Sequence, residues 1–262
     1  MQLLIVAFAA SVVSALTLFS GFGLGTLLMP VFALFFPIEV AVATTAIIHG
    51  VNNMFKVAVV GRHADKTVII HFGIPAIIAS FIGAAALGYI SHFGEITRYS
   101  VGPKTAVVTP IKLVMASLMT FFASFELLPQ LRNFNVDRKY LFLGGLLSGF
   151  FGGFSGHQGA LRSAFLTKVG ISPEAFVGSN ALIGFMVDIA RISTYAILFL
   201  IPGQASPITP NQWPLIATGI VSACTGVLIG KRYLHKITMK TIQTITGILL
   251  LGISVALGSG LI

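Results

Sequence analysis

Apolar residues run along this chain almost without interruption, and short clusters of charge, glycine or proline divide the runs. They extend over Gln2–Phe19, Thr26–Phe36, Ile38–Val60, Thr67–Ile90, Thr105–Leu128, Tyr140–Phe154, Ala160–Lys168, Pro173–Ile201, Trp213–Ile229 and Thr241–Ile262. Because about 20 apolar residues carry a helix across the hydrocarbon of a bilayer, the pattern predicts membrane-spanning helices. The first two runs pose a problem of length: a straight helix over residues 2–36 would measure about 52 Å, against a hydrocarbon core of about 30 Å. The chain must bend or turn back there. Ser20-Gly21-Phe22-Gly23-Leu24-Gly25 supplies the break, since glycine weakens a helix and admits backbone conformations closed to other residues. Ser155-Gly156-His157-Gln158-Gly159 predicts the same event in the second half.

A shift of 135 positions superposes the two parts without a gap. Phe19, Ser20 and Gly21 fall on Phe154, Ser155 and Gly156; Glu39 falls on Glu174, Thr44 on Ser179, Asn53 on Asp188 and Lys56 on Arg191. Such self-similarity is the mark of a duplicated transporter fold. It divides the chain into a first repeat over 1–128 and a second over 129–262. The composition excludes a soluble domain, with 56% hydrophobic and only 9% charged residues.

Sixteen Lys and Arg against 7 Asp and Glu give a net charge of +9. In this setting the excess reads as cytoplasmic loop charge rather than as a nucleic-acid footprint. If each broken unit returns to its starting side, ten loop cations share one face: Arg62, Lys66, Arg132, Arg138, Lys139, Lys168, Lys231, Arg232, Lys236 and Lys240. Arg98, Lys104 and Lys112 lie opposite. If each unit crosses once, these cations without Lys112 divide seven to five, with Arg98, Lys104, Lys168 and the four near Lys231 on the richer side. The positive-inside rule favours the returning hairpins, with both termini outside. The predicted fold is an all-α polytopic membrane protein of two inverted repeats, each a broken re-entrant helical hairpin plus three transmembrane helices, about eight to ten helical segments in all. Trp213, Tyr89, Tyr140 and Tyr233 fall near segment ends and anchor at the headgroups. The first basic residue is Lys56, so the amino terminus lacks the charged region of a signal peptide and is expected to remain in the mature protein. The single cysteine, Cys224, permits no intramolecular disulfide, and no metal or other cofactor is called for.

Unwound backbone survives in lipid only where protein or a water-filled cavity covers it. Two such breaks related by inversion should meet near the midplane, with the helices that begin near Thr26 and Ala160 aiming free amide groups and positive dipole ends at an anion. Close helix packing is the competing explanation for the glycines, since Gly21 and Gly25, and Gly149 and Gly153, are spaced as GxxxG. Intramembrane polar residues add weight to a site. Thr45, His49, Asn52 and Lys56 share a face of the helix after the first break, with Asn53 beside it, and Asn180, Gly184, Asp188 and Arg191 share the corresponding face in the second half. The predicted substrate-binding residues are Ser20, Gly21, Gly23, Gly25, Thr45, Asn52, Asn53, Lys56, Ser155, Gly156, His157, Gln158, Gly159, Arg162, Asn180 and Arg191. His157 and Asp188 are the candidates for proton coupling. His49 reads equally well as a hydrogen-bonded packing residue, and Asp188 with Arg191 as a structural ion pair. Glu39 and Glu174, just after Pro37 and Pro173, complement helix starts.

At these residues the sequence resembles the sulfite exporter TauE/SafE family, also described as a superfamily of sulfur-anion and organic-anion permeases. Ser20 to Pro30 (SGFGLGTLLMP) with Ala43, Thr44 and Thr45 carries the resemblance, together with Gly149 to Lys168 (GFFGGFSGHQGALRSAFLTK) and Gly178, Ser179 and Asn180. It implies a carrier of sulfite, sulfoacetate or another sulfonate across the inner membrane, coupled to protons. His157 and Gln158 stand where the family commonly has small residues, and Phe165 stands where the first repeat has Pro30. The three oxygens of such an anion suit backbone amides at helix starts, Gln158, Asn52, Asn53 and an arginine. The expected partners are this small anion, membrane lipid and a second copy of the chain, with no nucleic acid. Two other functions fit parts of the pattern. A passive anion channel would use the same basic pathway. Gly153-Phe154-Ser155-Gly156 spells GxSG, the surroundings of the nucleophile in rhomboid-type intramembrane proteases, which would require a histidine within hydrogen-bond reach of Ser155.

Overall fold

A computed structural model describes residues 2–20, 24–132, 137–166, 169–199, 208–233 and 239–262. Gly21 and Gly23 of the first predicted break, with Lys168 and Lys236, lie outside these residues, and of Ser20 only the backbone is described. Ten helices of eight residues or more form among the described residues: α1 (Gln2–Ser20), α2 (Leu24–Ala33), α3 (Ile38–Val60), α4 (Lys66–Ser91), α5 (Pro110–Leu127), α6 (Leu141–Ser155), α7 (Gly159–Leu166), α8 (Pro173–Phe199), α9 (Trp213–Tyr233) and α10 (Met239–Gly258). Four stretches, Lys66–Ser91, Pro110–Leu127, Pro173–Leu198 and Pro210–Gly230, are long and apolar enough to cross a membrane. The chain is an all-α polytopic membrane protein.

Helix boundaries follow local chemistry. Pro37 precedes α3 and Pro173 begins α8, each with a glutamate in the first turn, Glu39 and Glu174, where the helix dipole favours a negative charge. Asp65 accepts from the Val68 amide at 2.9 Å at the start of α4. A π-turn over Ile69–Gly73 follows, just ahead of Pro75, whose missing N–H interrupts regular helical hydrogen bonding. One expectation fails here. The apolar run predicted from Thr105 opens as a β-strand: β1 (Thr97–Val101) pairs antiparallel with β2 (Lys104–Val108), and α5 begins only at Pro110. Val107 donates its amide to the Gly260 carbonyl at 2.9 Å, which ties the hairpin to the end of the chain. Alternating β-branched residues and the Gly102-Pro103 turn satisfy a strand pattern that a count of apolar residues does not distinguish.

The two halves correspond helix by helix. The end of α1 and the end of α6, the starts of α2 and α7, and the starts of α3 and α8 are each 135 positions apart. Packing follows the same correspondence: α1 packs on α9 as α6 packs on α4, while α3 packs on α8 and α5 on α10. Directions come from the contacts. Carbon atoms added at Gly145, Gly149 and Gly153 of α6 would strike the carbonyls of Phe72, Ala76 and Ser80 at 2.3, 2.1 and 2.1 Å, so α6 and α4 run parallel with their backbones in contact. Gly226 and Gly230 of α9 approach Ser11 and Ala15 of α1 in the same parallel sense. The α3/α8 pair is antiparallel, since Gly50 lies against Ile192, Asn53 against Asp188 and Gly178 against Val60. With successive helices alternating in direction, these senses require α2 to run back against α1 and α7 against α6. The GxxxG glycines of α6 are thus accounted for by helix packing, whereas Gly25 and Gly156 sit where the two breaks meet.

Candidate functional site

The second break is built by Gly156, which ends α6 in the left-handed region at φ 79°. A side chain is excluded on two counts, because the backbone is strained for an L-residue and an added carbon would lie 2.9 Å from Nη1 of Arg191. The carbonyl of Gly156 points at the first break, where an added carbon on Gly25 would approach it to 3.1 Å. Arg191 Nη2 and the His49 ring edge at Cδ2 border the same glycine, at 3.9 and 3.8 Å from that carbon position. The start of α2 therefore meets the second break, and side chains of α3 and α8 close the junction.

Asp188 is the hub of this junction. Its Oδ2 accepts from His49 Nδ1 at 2.7 Å and from Asn53 Nδ2 at 2.8 Å. Its Oδ1 accepts from Arg191 Nε at 3.0 Å, and Arg191 Nη2 makes an ionic contact with the same oxygen at 2.7 Å that lacks hydrogen-bond alignment. Arg191 Nη1 reaches the Gly152 carbonyl at 3.4 Å. Asp188 and Arg191 are fully buried and neutralise each other. The ion pair expected between Asp188 and Arg191 is present.

Arg162 has different company. Its Nε donates to Asn180 Oδ1 and its Nη1 to Gln158 Oε1 at 3.1 Å. These are neutral acceptors, and the amide nitrogens of the same two side chains, Asn180 Nδ2 and Gln158 Nε2, are buried with no acceptor. Gly184 makes room between Asn53 and Arg162, since an added carbon there would lie 2.6 Å from Asn53 Nδ2 and 3.3 Å from Arg162 Nη1. Lys56 is the second unneutralised cation. It is 7% exposed and Arg162 is 3% exposed, and among the described residues no carboxylate lies within 4 Å of either. Asp188 acts on both only through space.

Other predicted residues lie elsewhere. Asn52 turns from the junction to donate to Ser14 Oγ of α1 at 2.9 Å, and its Oδ1 has no partner. Thr45 is buried with its hydroxyl unpartnered. His157 stacks on Phe122 of α5, with ring centroids 5.4 Å apart and planes 7° apart; the Ser155 backbone lies near, but neither ring nitrogen has a partner in hydrogen-bond geometry. Gly159 opens α7, buried. Ser155 bonds back to the Phe151 carbonyl at 3.0 Å, an intrahelical contact that places no histidine as its base. The sequence reading left His49 undecided, and it gave no role to Ser14, Phe122 or Tyr195, whose hydroxyl donates to the Gly153 carbonyl. For His49 and Tyr195 a signal existed: each stands one helical turn from a residue already singled out, Asn53 and Arg191.

Interrupted helices beside buried cations inside a multi-spanning bundle are an arrangement that membrane transporters use. The family model described as "Sulfite exporter TauE/SafE" matches residues 3–257, nearly the whole chain, and the chain belongs to that family. The family is one of transporters. No curated protein matches the chain significantly.

Proposed function

We propose that the chain is a proton-coupled secondary transporter that exports a small anion, sulfite, sulfoacetate or another organosulfonate, across the inner membrane. One observation carries this reading. Lys56 and Arg162 are buried beside each other's charge with no carboxylate counterion, next to amide donors that have no acceptor. An uncompensated buried charge costs several kcal/mol, and an anion with several oxygens removes that penalty and satisfies the free donors together. Gln158, Asn180 and Arg162 would bind the oxygens directly, with Lys56, Asn53 and the amides at the starts of α2 and α7 around them.

The antiparallel α3/α8 pair and the reversal of direction at each break support two inverted repeats, 1–128 and 129–262, with both termini on one side. The positive-inside rule puts that side outside the cell. Export suits an anion, because an inside-negative membrane drives it outward by about 2.3 kcal/mol per charge for each 100 mV. Proton coupling in this reading works through the buried titratable groups that gather around Asp188. Purified protein in liposomes is expected to accumulate sulfite or sulfoacetate uphill under a pH gradient. Strictly downhill, unsaturable flux would replace the carrier by a passive channel. A thermal shift with carboxylates alone would overturn the sulfur-anion assignment.

A further inference from the structure

We infer that the proton which accompanies the anion binds at Nε2 of His49, the ring that joins α3 to Asp188 of α8; this rests on the anion-carrier reading above. Asp188 is surrounded by donors, so both its oxygens are engaged as a carboxylate would engage them: Asn53 and His49 on Oδ2, Arg191 on Oδ1. A 2.7 Å contact to that carboxylate places a hydrogen on His49 Nδ1. The neutral ring then keeps its lone pair on Nε2, and a proton can be added there without breaking any bond of the network. Nε2 adjoins Cδ2, the edge that faces Gly25 at the junction of the two breaks.

The charge balance ties this proton to the anion. Asp188 and Arg191 cancel, so the cluster is neutral with a neutral ring and gains one positive charge on protonation. The groups that face it are mostly cationic: Arg191 and Tyr195 from α8, Lys56 from α3 and Arg162 from α7, with His157 beside Arg191 and Cys224 of α9 beside Lys56. With Asp188 and Arg191 offsetting each other, another positive charge in the empty site is opposed by Lys56; with an anion bound, it is favoured. Linkage is reciprocal, so anion binding takes up a proton and protonation tightens anion binding. The location also fits a coupling site. Asn53 and Asp188 are equivalent in the 135-residue repeat and hydrogen-bond to each other where the halves cross, so the group stays central as the halves move.

The test uses the full chain in detergent with sulfoacetate and methanesulfonate, whose charges are constant between about pH 6 and 8. Calorimetric titration in buffers of different ionisation enthalpy reads proton uptake directly. Wild-type protein is expected to take up as much as one proton per anion, with affinity falling by up to about tenfold per pH unit above the ring's titration. His49→Asn keeps a donor at the Nδ1 position and lacks Nε2, so it is expected to bind with pH-independent affinity and no uptake; His49→Gln serves if that variant does not fold. His157→Ala should retain the uptake. Wild-type binding without proton uptake, or uptake that persists in the His49 variants, overturns this proposal and leaves the carrier reading intact. Failure of both anions to bind at any pH overturns the carrier reading, and this proposal with it.

Discussion

The two helix breaks are equivalent in position and unlike in chemistry. After the first, α2 buries Leu24, Leu27, Leu28, Met29 and Phe32 among apolar neighbours. After the second, the chain presents His157 and Gln158, and Arg162 stands where the first half has Leu27. The same contrast holds one helix later, where Asn53 and Lys56 correspond to Asp188 and Arg191. Equivalent positions therefore give one apolar helix start and one that gathers the buried polar groups Gln158 and Arg162. A carrier that binds one asymmetric anion gains from this, since a second charged hairpin would add uncompensated cations to a core that already holds two.

Making the second half resemble the first is the direct way to test the contrast. The largest effect is expected at the hub: Asp188→Asn, which copies Asn53, leaves Arg191 buried without a counterion and should cost about 3–5 kcal/mol in unfolding experiments. Replacing both charges together, Asp188→Leu with Arg191→Met, should recover most of that loss; a single variant as stable as wild type would show that the pair within α8 carries no stability. Arg162→Leu, which copies Leu27, removes a charge that no carboxylate balances. Anion affinity should fall about 10- to 100-fold, the worth of a charged hydrogen bond, with no decrease in melting temperature. A loss of stability without a loss of binding would make Arg162 structural.

The glycines at the junction should also differ. Gly156→Ala forces an L-residue into the left-handed region against Arg191 and is expected to cost about 1–3 kcal/mol by thermal denaturation. Gly25→Ala meets the Gly156 carbonyl at 3.1 Å, with His49 and Arg191 at ordinary contact distance, within a helix where alanine is favoured by about 1 kcal/mol, so a near-neutral outcome is expected. The smallest effect belongs to His157→Ala. It loses a ring stack on Phe122 worth about 0.5–1.5 kcal/mol, and its informative readout is the pH profile of flux in liposomes.

Much of this arrangement was readable in the residues. Pro37 and Pro173 marked helix starts, glycine clusters marked both breaks, and the offset of 135 predicted that Asn53 and Asp188 occupy matching places. The face carrying Asn180, Gly184, Asp188 and Arg191 follows from helical spacing alone, and all four border the junction. Asn52 and Asn53 show where that logic stopped. Adjacent on the helix, they point about 100° apart, and which one meets Asp188 depends on what packs against each side. The β-hairpin was missed for a related reason, since Thr105–Val108 is as apolar as a helix start and only its pairing with Thr97–Val101 makes it a strand.

Sequence by itself determined that the chain is a multi-spanning membrane protein and that α6 ends at Gly156, because hydropathy and glycine act locally along the backbone. Only the tertiary structure decided which glycines pack helices and which make room at the junction, which arginine is neutralised, and that His49 reaches Asp188. Those outcomes depend on distances of 3 to 4 Å between residues more than 100 positions apart, and Coulomb energy and hydrogen bonding in a low-dielectric core change steeply over such distances.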